Sequence, residues 1–215
     1  MPAVHGTARP NALLVALPLL LVLQAPPPDP ATLPARDEHQ GILVACRPVV
    51  EREELHKVLG DRADRAGVLP VELFVRNRGA APLEVDPAGV FLVIERDGRR
   101  HRLEPLAPDQ VAQMVLHPQP PEPGVPRPRL PVPLPGRGNR GQAQLARRLE
   151  KMAFPRAPIP PGRTASGWVF FAAGTQPAVL RQASLELTRL QWVGSTQPVM
   201  FFEIALAPAL ASTAP

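Results

Sequence analysis

Proline places the strongest limit on how this chain can fold, because it supplies no backbone N–H to a helix or a sheet ladder. The sequence holds 31 prolines in 215 residues, and nine of them lie in residues 118–136. Regular structure is therefore expected before and after this stretch. We predict one folded body, residues 41–207, interrupted at residues 118–161 by a proline- and arginine-rich insertion.

The N-terminal residues predict the compartment. Arg9 precedes an apolar run of fourteen residues, 12–25, in which Gln24 is the only polar residue. A membrane span needs ~20 apolar residues, so the run is typical of a secretory signal peptide, residues 1–25, cleaved near Ala25. The protein is then exported to the periplasm or the extracellular space. An uncleaved N-terminal membrane anchor is the alternative.

The residues that flank the body read as appendages. Residues 26–40 are polar and rich in proline, which predicts an extended tether, and residues 208–215 form a C-terminal tail. Cys46 is the only cysteine, which excludes a disulfide within the chain. It lies in an apolar run, so we expect a buried thiol, with a link between two chains as the alternative.

Short strands dominate the predicted secondary structure. Residues 68–79 alternate apolar and polar side chains with period two, as a half-buried strand does. Asp97-Gly98 stands between two strand-like runs, which predicts a tight hairpin turn with positive φ at both residues. Helices are expected at residues 50–59, 108–116 and 142–152.

This pattern favours a mostly β fold, an antiparallel sandwich with short helices. The core between the two sheets is expected to include the following residues: Val71, Leu73, Val75, Leu92, Ile94, Trp168, Phe170, Leu185, Leu187 and Phe202.

Several of these segments carry a family resemblance. Asn77 closes a strand before a turn, Asp97-Gly98 turns a hairpin, and Pro161-Gly162 precedes a strand that begins around Gly167-Trp168. The chain thereby resembles the immunoglobulin-like, telokin-like β-sandwich domains of exported bacterial proteins of unknown function. The resemblance implies a sandwich fold and an exported location. It implies no catalytic residues, and the insertion has no counterpart in it.

Motifs for catalysis and for cofactors are absent from the sequence. His56 has no second histidine at helical spacing, and residues 136–141 lack the end of a phosphate-binding loop. No serine stands in a nucleophile elbow. We therefore predict no catalytic, cofactor-binding or metal-binding residues and favour a non-catalytic protein that binds or scaffolds at the cell envelope. A hydrolase whose site is assembled from scattered polar residues is the alternative.

The insertion carries the positive charge of the chain. Residues 127–163 contain nine basic residues and one acidic residue. Arginine pairs with phosphate and carboxylate through bidentate hydrogen bonds, so the partner is expected to be an anionic envelope component, with another envelope protein as the alternative. Nucleic acid is disfavoured, since Phe154 is the segment's only aromatic residue. The sequence alone favours a flexible loop whose charge only keeps it soluble, and anion binding is the competing interpretation. The candidate anion-binding residues are Arg127, Arg129, Arg137, Arg140, Arg147, Arg148, Lys151 and Arg156.

The insertion has few apolar residues, and it is therefore also expected to contribute little to the core and to be dispensable for folding.

Overall fold

The computed structural model describes residues 28–118, 140–196 and 199–211, and these residues are mostly β. The strands of these ranges, in chain order, are β1 (Arg36–His39), β2 (Ile42–Pro48), β3 (Leu69–Asn77), β4 (Leu83–Val85), β5 (Val90–Arg96), β6 (Arg99–Leu103), β7 (Thr164–Phe171), β8 (Ala183–Leu187), β9 (Leu190–Trp192) and β10 (Phe202–Ala205). The helices are α1 (Arg52–Leu59), α2 (Ala63–Ala66), α3 (Pro108–Leu116), α4 (Arg140–Met152), α5 (Pro177–Leu180) and α6 (Ala207–Ala211).

The strands form antiparallel sheets. The first sheet has the order β1-β2-β3-β7, the second has the order β10-β8-β5-β6, and β4 pairs with β9 in a small two-stranded sheet. The predicted hairpin is confirmed. Arg96 of β5 pairs with Arg99 of β6, and φ is 54° at Asp97 and 67° at Gly98, the left-handed values that such a turn requires.

One core joins the two large sheets. Alternate residues of β3, such as Val71, Leu73 and Val75, pack with Leu92 of β5 and Leu185 of β8 in a single buried cluster. The predicted burial of these residues, and that of Ile94, Leu187 and Phe202, is confirmed. Cys46 is fully buried in the same cluster.

The prediction that Trp168 and Phe170 are buried between the two sheets is wrong. Both side chains lie on the outward face of β7, where they pack in a second cluster with α1–α4, which we call the helical layer. Val169 and Phe171 point into the core between the sheets instead. Period-two alternation separates the two pairs correctly, but both faces of the first sheet are covered, so hydrophobicity alone does not tell which face meets the second sheet.

The tether and the tail are shorter than predicted. β1 pairs with β2 at the edge of the first sheet, and Leu33 packs with Ala45 and Phe74 on its outward face. At the other terminus, α6 buries Ala209 and Leu210. The folded part of the described chain therefore includes residues of both predicted appendages.

The second half of the predicted insertion also belongs to the body. Leu149 is fully buried in the helical layer, and Phe154 and Ile159 join the core between the sheets. Backbone bridges connect Ala153 with Trp168 and Ile159 with Leu83. The expectation that the insertion contributes little to the core is therefore wrong for residues 140–161, while residues 119–139 lie outside the described part.

The close approach of this segment to β7 requires a glycine. A Cβ atom at Gly167 would lie 2.5 Å from the Cα atom of Phe154, a separation that real Cβ atoms do not tolerate. Gly167 thus lets the chain after α4 lie directly against the edge of the first sheet, and the bridge from Ala153 to Trp168 can form.

Candidate functional site

The candidate site is built on α4, whose sequence explains both its helical form and its orientation. Leu145, Leu149 and Met152 recur at spacings of four and three, which places them on one face of a helix. They pack in the helical layer, with Leu149 fully buried. The predicted helix is confirmed, and it begins two residues earlier than expected, at Arg140. The opposite face of α4 is exposed and basic.

The structure brings four of the eight predicted anion-binding residues together. These four line a groove of about 860 Å³ between α4 and the C-terminal ends of α1 and α3. The apolar lining includes Leu59, Leu116 and Leu145, and none of the described residues that line the groove is acidic. The four basic residues are Arg140, Arg147, Arg148 and Lys151.

The other four candidates are not part of this groove. Arg127, Arg129 and Arg137 lie outside the described residues. Arg156 lies near Asp86 on another surface. The backbone N–H of Ala88 lowers the pKa of the Asp86 carboxyl most, Arg189 adds to this through a hydrogen bond of 3.0 Å, and Arg156 contributes a weaker electrostatic effect.

Arg148 has a structural role that the sequence did not indicate. Its Nη2 donates a hydrogen bond of 2.8 Å to the backbone carbonyl of Val58, in the last turn of α1. Carbonyls at a helix C-terminus have no partner within the helix, and a cation there is favourable. Arg148 therefore attaches α4 to α1.

Three cations of α4 remain uncompensated. Within the described ranges, Arg140, Arg147 and Lys151 form no ion pair with an acidic residue. They are spaced seven and four residues apart, which places them along one side of the helix. With a rise of 1.5 Å per residue, this cationic stripe is about 16 Å long.

In a neighbouring hollow, by contrast, basic and acidic residues pair with each other. It has a volume of about 480 Å³ and is lined by residues of α1, α2 and the loop between them, and by Pro118 after α3. Asp64 accepts from Arg52 at 3.0 Å and lies 3.2 Å from Nε2 of His56. The charged face around α1 thus carries acidic and basic residues that pair with each other.

Arg62, also in this hollow, is not among the residues that the sequence singled out. It donates to the carbonyl of Leu116 at 3.2 Å, the same kind of helix C-terminal contact that Arg148 makes. No sequence signal reveals this contact, because Leu116 is 54 residues away in the chain.

On the outward face of the second sheet, arginines also pair with glutamates of the same sheet. Arg100 pairs with Glu186 and Glu203, and Arg102 pairs with Glu186 while its guanidinium lies 3.6 Å from the centre of the Phe91 ring. This face therefore offers less free positive charge than its arginines suggest.

Histidine and cysteine form no reactive cluster. His39 stacks on Phe202 with 3.7 Å between ring centres, and His101 is exposed on β6. Burial raises the pKa of the Cys46 thiol to about 12, so this thiol is protonated at neutral pH. Across residues 28–118, 140–196 and 199–211, no three His, Cys, Asp or Glu side chains are placed to hold a metal ion.

Comparison with known proteins identifies no family for this chain. No protein-family model, curated protein or solved structure matches the chain. In the part of the chain that the structure describes, no helix is long and apolar enough to cross a membrane.

Proposed function

We propose that the protein is an exported, non-catalytic binding protein of immunoglobulin-like β-sandwich architecture that holds an anionic component of the cell envelope on α4. The observation that carries the proposal is the cationic stripe, Arg140, Arg147 and Lys151, over a groove whose described lining contains no acidic residue. Two antiparallel four-stranded sheets around one core support the sandwich. The helical layer adds to that architecture the surface that binds.

The shape of the stripe favours an extended anion. Three cations over about 16 Å of helix match a series of negative charges better than they match one phosphate group. Each lies on the solvent side of α4, where a polymer can lie along the helix. An acidic polysaccharide of the envelope has this chemistry.

Removal of the three cations should weaken binding to a polyanion. The triple variant Arg140→Ala, Arg147→Ala, Lys151→Ala should elute from immobilised heparin, used here as a model polyanion, at clearly lower salt than the unmodified chain. The retention should also fade as salt rises, since exposed charges are screened within ~10 Å at 0.1 M. Arg148 stays unchanged, because it attaches α4 to α1.

A matched control separates a site from net charge. The variant Arg99→Ala, Arg163→Ala, Arg181→Ala removes the same charge from exposed positions outside the groove. It should elute close to the unmodified chain. Equal shifts of the two triple variants would show that heparin senses net charge only, and the proposed site would be wrong.

Export is a separate part of the proposal and has its own test. The apolar run 12–25 supports it. Mass spectrometry of the protein from its native cells should give a mature N-terminus close to Pro26. A chain that retains Met1 and stays with the membrane would favour the uncleaved anchor instead.

A further inference from the structure

The two large sheets have one end at which exposed apolar side chains collect. We call it the apolar end and define it by the β1–β2 turn at Gln40 and Gly41, the loop after β3, and the loop before β10. Val193, Met200 and Phe201 are 41%, 62% and 56% exposed. They are the large apolar side chains that the described part of the protein leaves in solvent to this extent.

Hydrogen bonds place these three residues at the same end. The backbone N–H of Met200 donates to Oε1 of Gln40 at 2.8 Å, and the N–H of Val193 donates to the carbonyl of Pro82 in the loop after β3 at 2.9 Å. Phe201 precedes Phe202, which stacks on His39 at the end of β1. All three residues belong to the connection between β9 and β10, and these bonds hold its two ends against the β1–β2 turn and the loop after β3.

The N-terminal segment leaves the fold at this end as well. Asp29 pairs with Arg76 at 3.4 Å, and Arg76 is the penultimate residue of β3. Only three residues separate Asp29 from Ala25, the last residue of the apolar run. The four peptide units from Ala25 to Asp29 span at most about 14 Å, so the apolar end lies next to the bilayer as long as that run is uncleaved and held in it.

Charge at this end does not explain an attraction to lipid. Arg78 pairs with Glu38, and Arg76 pairs with Asp29, so these cations are neutralised by their neighbours. The cationic stripe belongs to the helical layer. That layer connects to the first sheet where β2 ends and β3 begins, at the opposite end from Gln40 and Gly41.

We propose that the apolar end rests on a lipid bilayer, with Val193, Met200 and Phe201 inserted among the lipids. This contact rests on apolar burial and not on charge, and it directs the cationic stripe away from the membrane surface. It does not depend on what α4 binds.

A fluorescent label can test the contact on the mature chain that begins at Pro26, which lacks the apolar run 12–25 and so cannot bind vesicles through it. An environment-sensitive dye is attached to Met200→Cys, and the chain is mixed with neutral phosphatidylcholine vesicles. Cys46 is fully buried, so the unmodified chain serves as the labelling blank. The emission should shift to the blue, and quenchers on the lipid acyl chains should reduce it. Salt should leave both effects unchanged, because no free charge is involved.

The matched control is the same dye at Arg99→Cys. Val90 and Phe202 both pair with Leu187, so β5 begins at the apolar end and the β5–β6 turn lies at the opposite end. The label at this exposed position should keep its emission in water.

A second substitution tests the apolar contact itself. Phe201→Ser in the chain labelled at position 200 should lower the lipid-bound fraction of the label roughly tenfold, while the far-ultraviolet circular dichroism stays unchanged. The alanine variants of the cationic stripe should leave the label's emission unaffected. If the label at position 200 stays in water, or if both labels shift equally, the proposal is wrong.

Discussion

Substitution of Asn77 by aspartate should destabilise the fold by about 3–5 kcal/mol at pH 7. Asn77 is fully buried, and its amide connects three segments. Its Nδ2 donates to the carbonyls of Ala81 and Ile159, both at 2.8 Å, and its Oδ1 accepts from the N–H of Gly79 at 2.8 Å. A carboxylate has almost the same shape but no donor, so one buried oxygen would face two carbonyl oxygens.

The loss should depend on pH in a direction that follows from this geometry. Burial and the two carbonyls raise the pKa of the new carboxyl in the folded state above its unfolded value of ~3.9. The folded state then binds the proton more tightly than the unfolded state does, and stability falls as pH rises between these two pKa values. Below the unfolded pKa, the protonated group can donate to one carbonyl, so most of the loss should disappear.

Urea unfolding at pH 3.5 and at pH 7 measures both effects. Gln176→Glu makes the same exchange of amide for carboxyl at an exposed position and should change the free energy of unfolding by less than about 0.5 kcal/mol. If the Asn77→Asp variant were as stable as its parent at pH 7, the two hydrogen bonds that the Asn77 amide donates would not contribute to the stability of the fold.

The local features of the fold were open to prediction from the sequence. The hairpin at Asp97 and Gly98 depends on two adjacent residues that accept positive φ, and α3 ends at Leu116, as predicted, before Pro118. Such features depend on neighbours in the chain. The core residues of β3, β5 and β8 were also predictable, because their alternation shows which side chains share a face.

Features that depend on a third layer were not open to prediction in this way. Trp168 and Phe170 are as apolar as Val169 and Phe171, and the choice between the two faces of β7 depends on the helical layer. Asn77 was expected to lie at a turn, and it does, but its bond to Ile159 reaches 82 residues along the chain. Charge composition likewise did not reveal that Arg148 binds a backbone carbonyl while Arg147 has no ion pair among the described residues.

The candidate site was therefore predictable as a segment but not as an arrangement. The excess of positive charge in residues 127–163 indicated the region correctly. The selection of Arg140, Arg147 and Lys151 comes from the helical face that Leu149 leaves exposed. The separation of Arg156 from them follows from the extended stretch after α4, which leads to the bridge between Ile159 and Leu83.

Leu149→Ala should reduce the free energy of unfolding by about 2–5 kcal/mol, the range for deletion of a fully buried leucine side chain. Leu149 is fully buried among residues of α1, α3 and β7, and the loss combines the hydrophobic transfer of the side chain with the cavity that remains. For a domain of this size, the midpoint of thermal unfolding should fall by roughly 10 °C. This expectation replaces the prediction that the whole insertion is dispensable.

The neighbouring variant Glu150→Ala is the matched control, because Glu150 is exposed on the same turn of α4. Its thermal midpoint should lie within about 2 °C of the parent's.

A deletion series separates the two halves of the insertion further. Replacement of residues 120–138 by a short Gly-Ser linker should cost little, since loop length changes the closure entropy by only ~0.6 kcal/mol per doubling. Replacement of residues 140–161 should unfold the protein, because it removes Leu149, Phe154 and Ile159 from two buried clusters at once. If the Leu149→Ala and Glu150→Ala variants had the same midpoint of thermal unfolding, α4 would be a surface addition to the body. The cationic stripe would then lose the rigid support that its spacing requires.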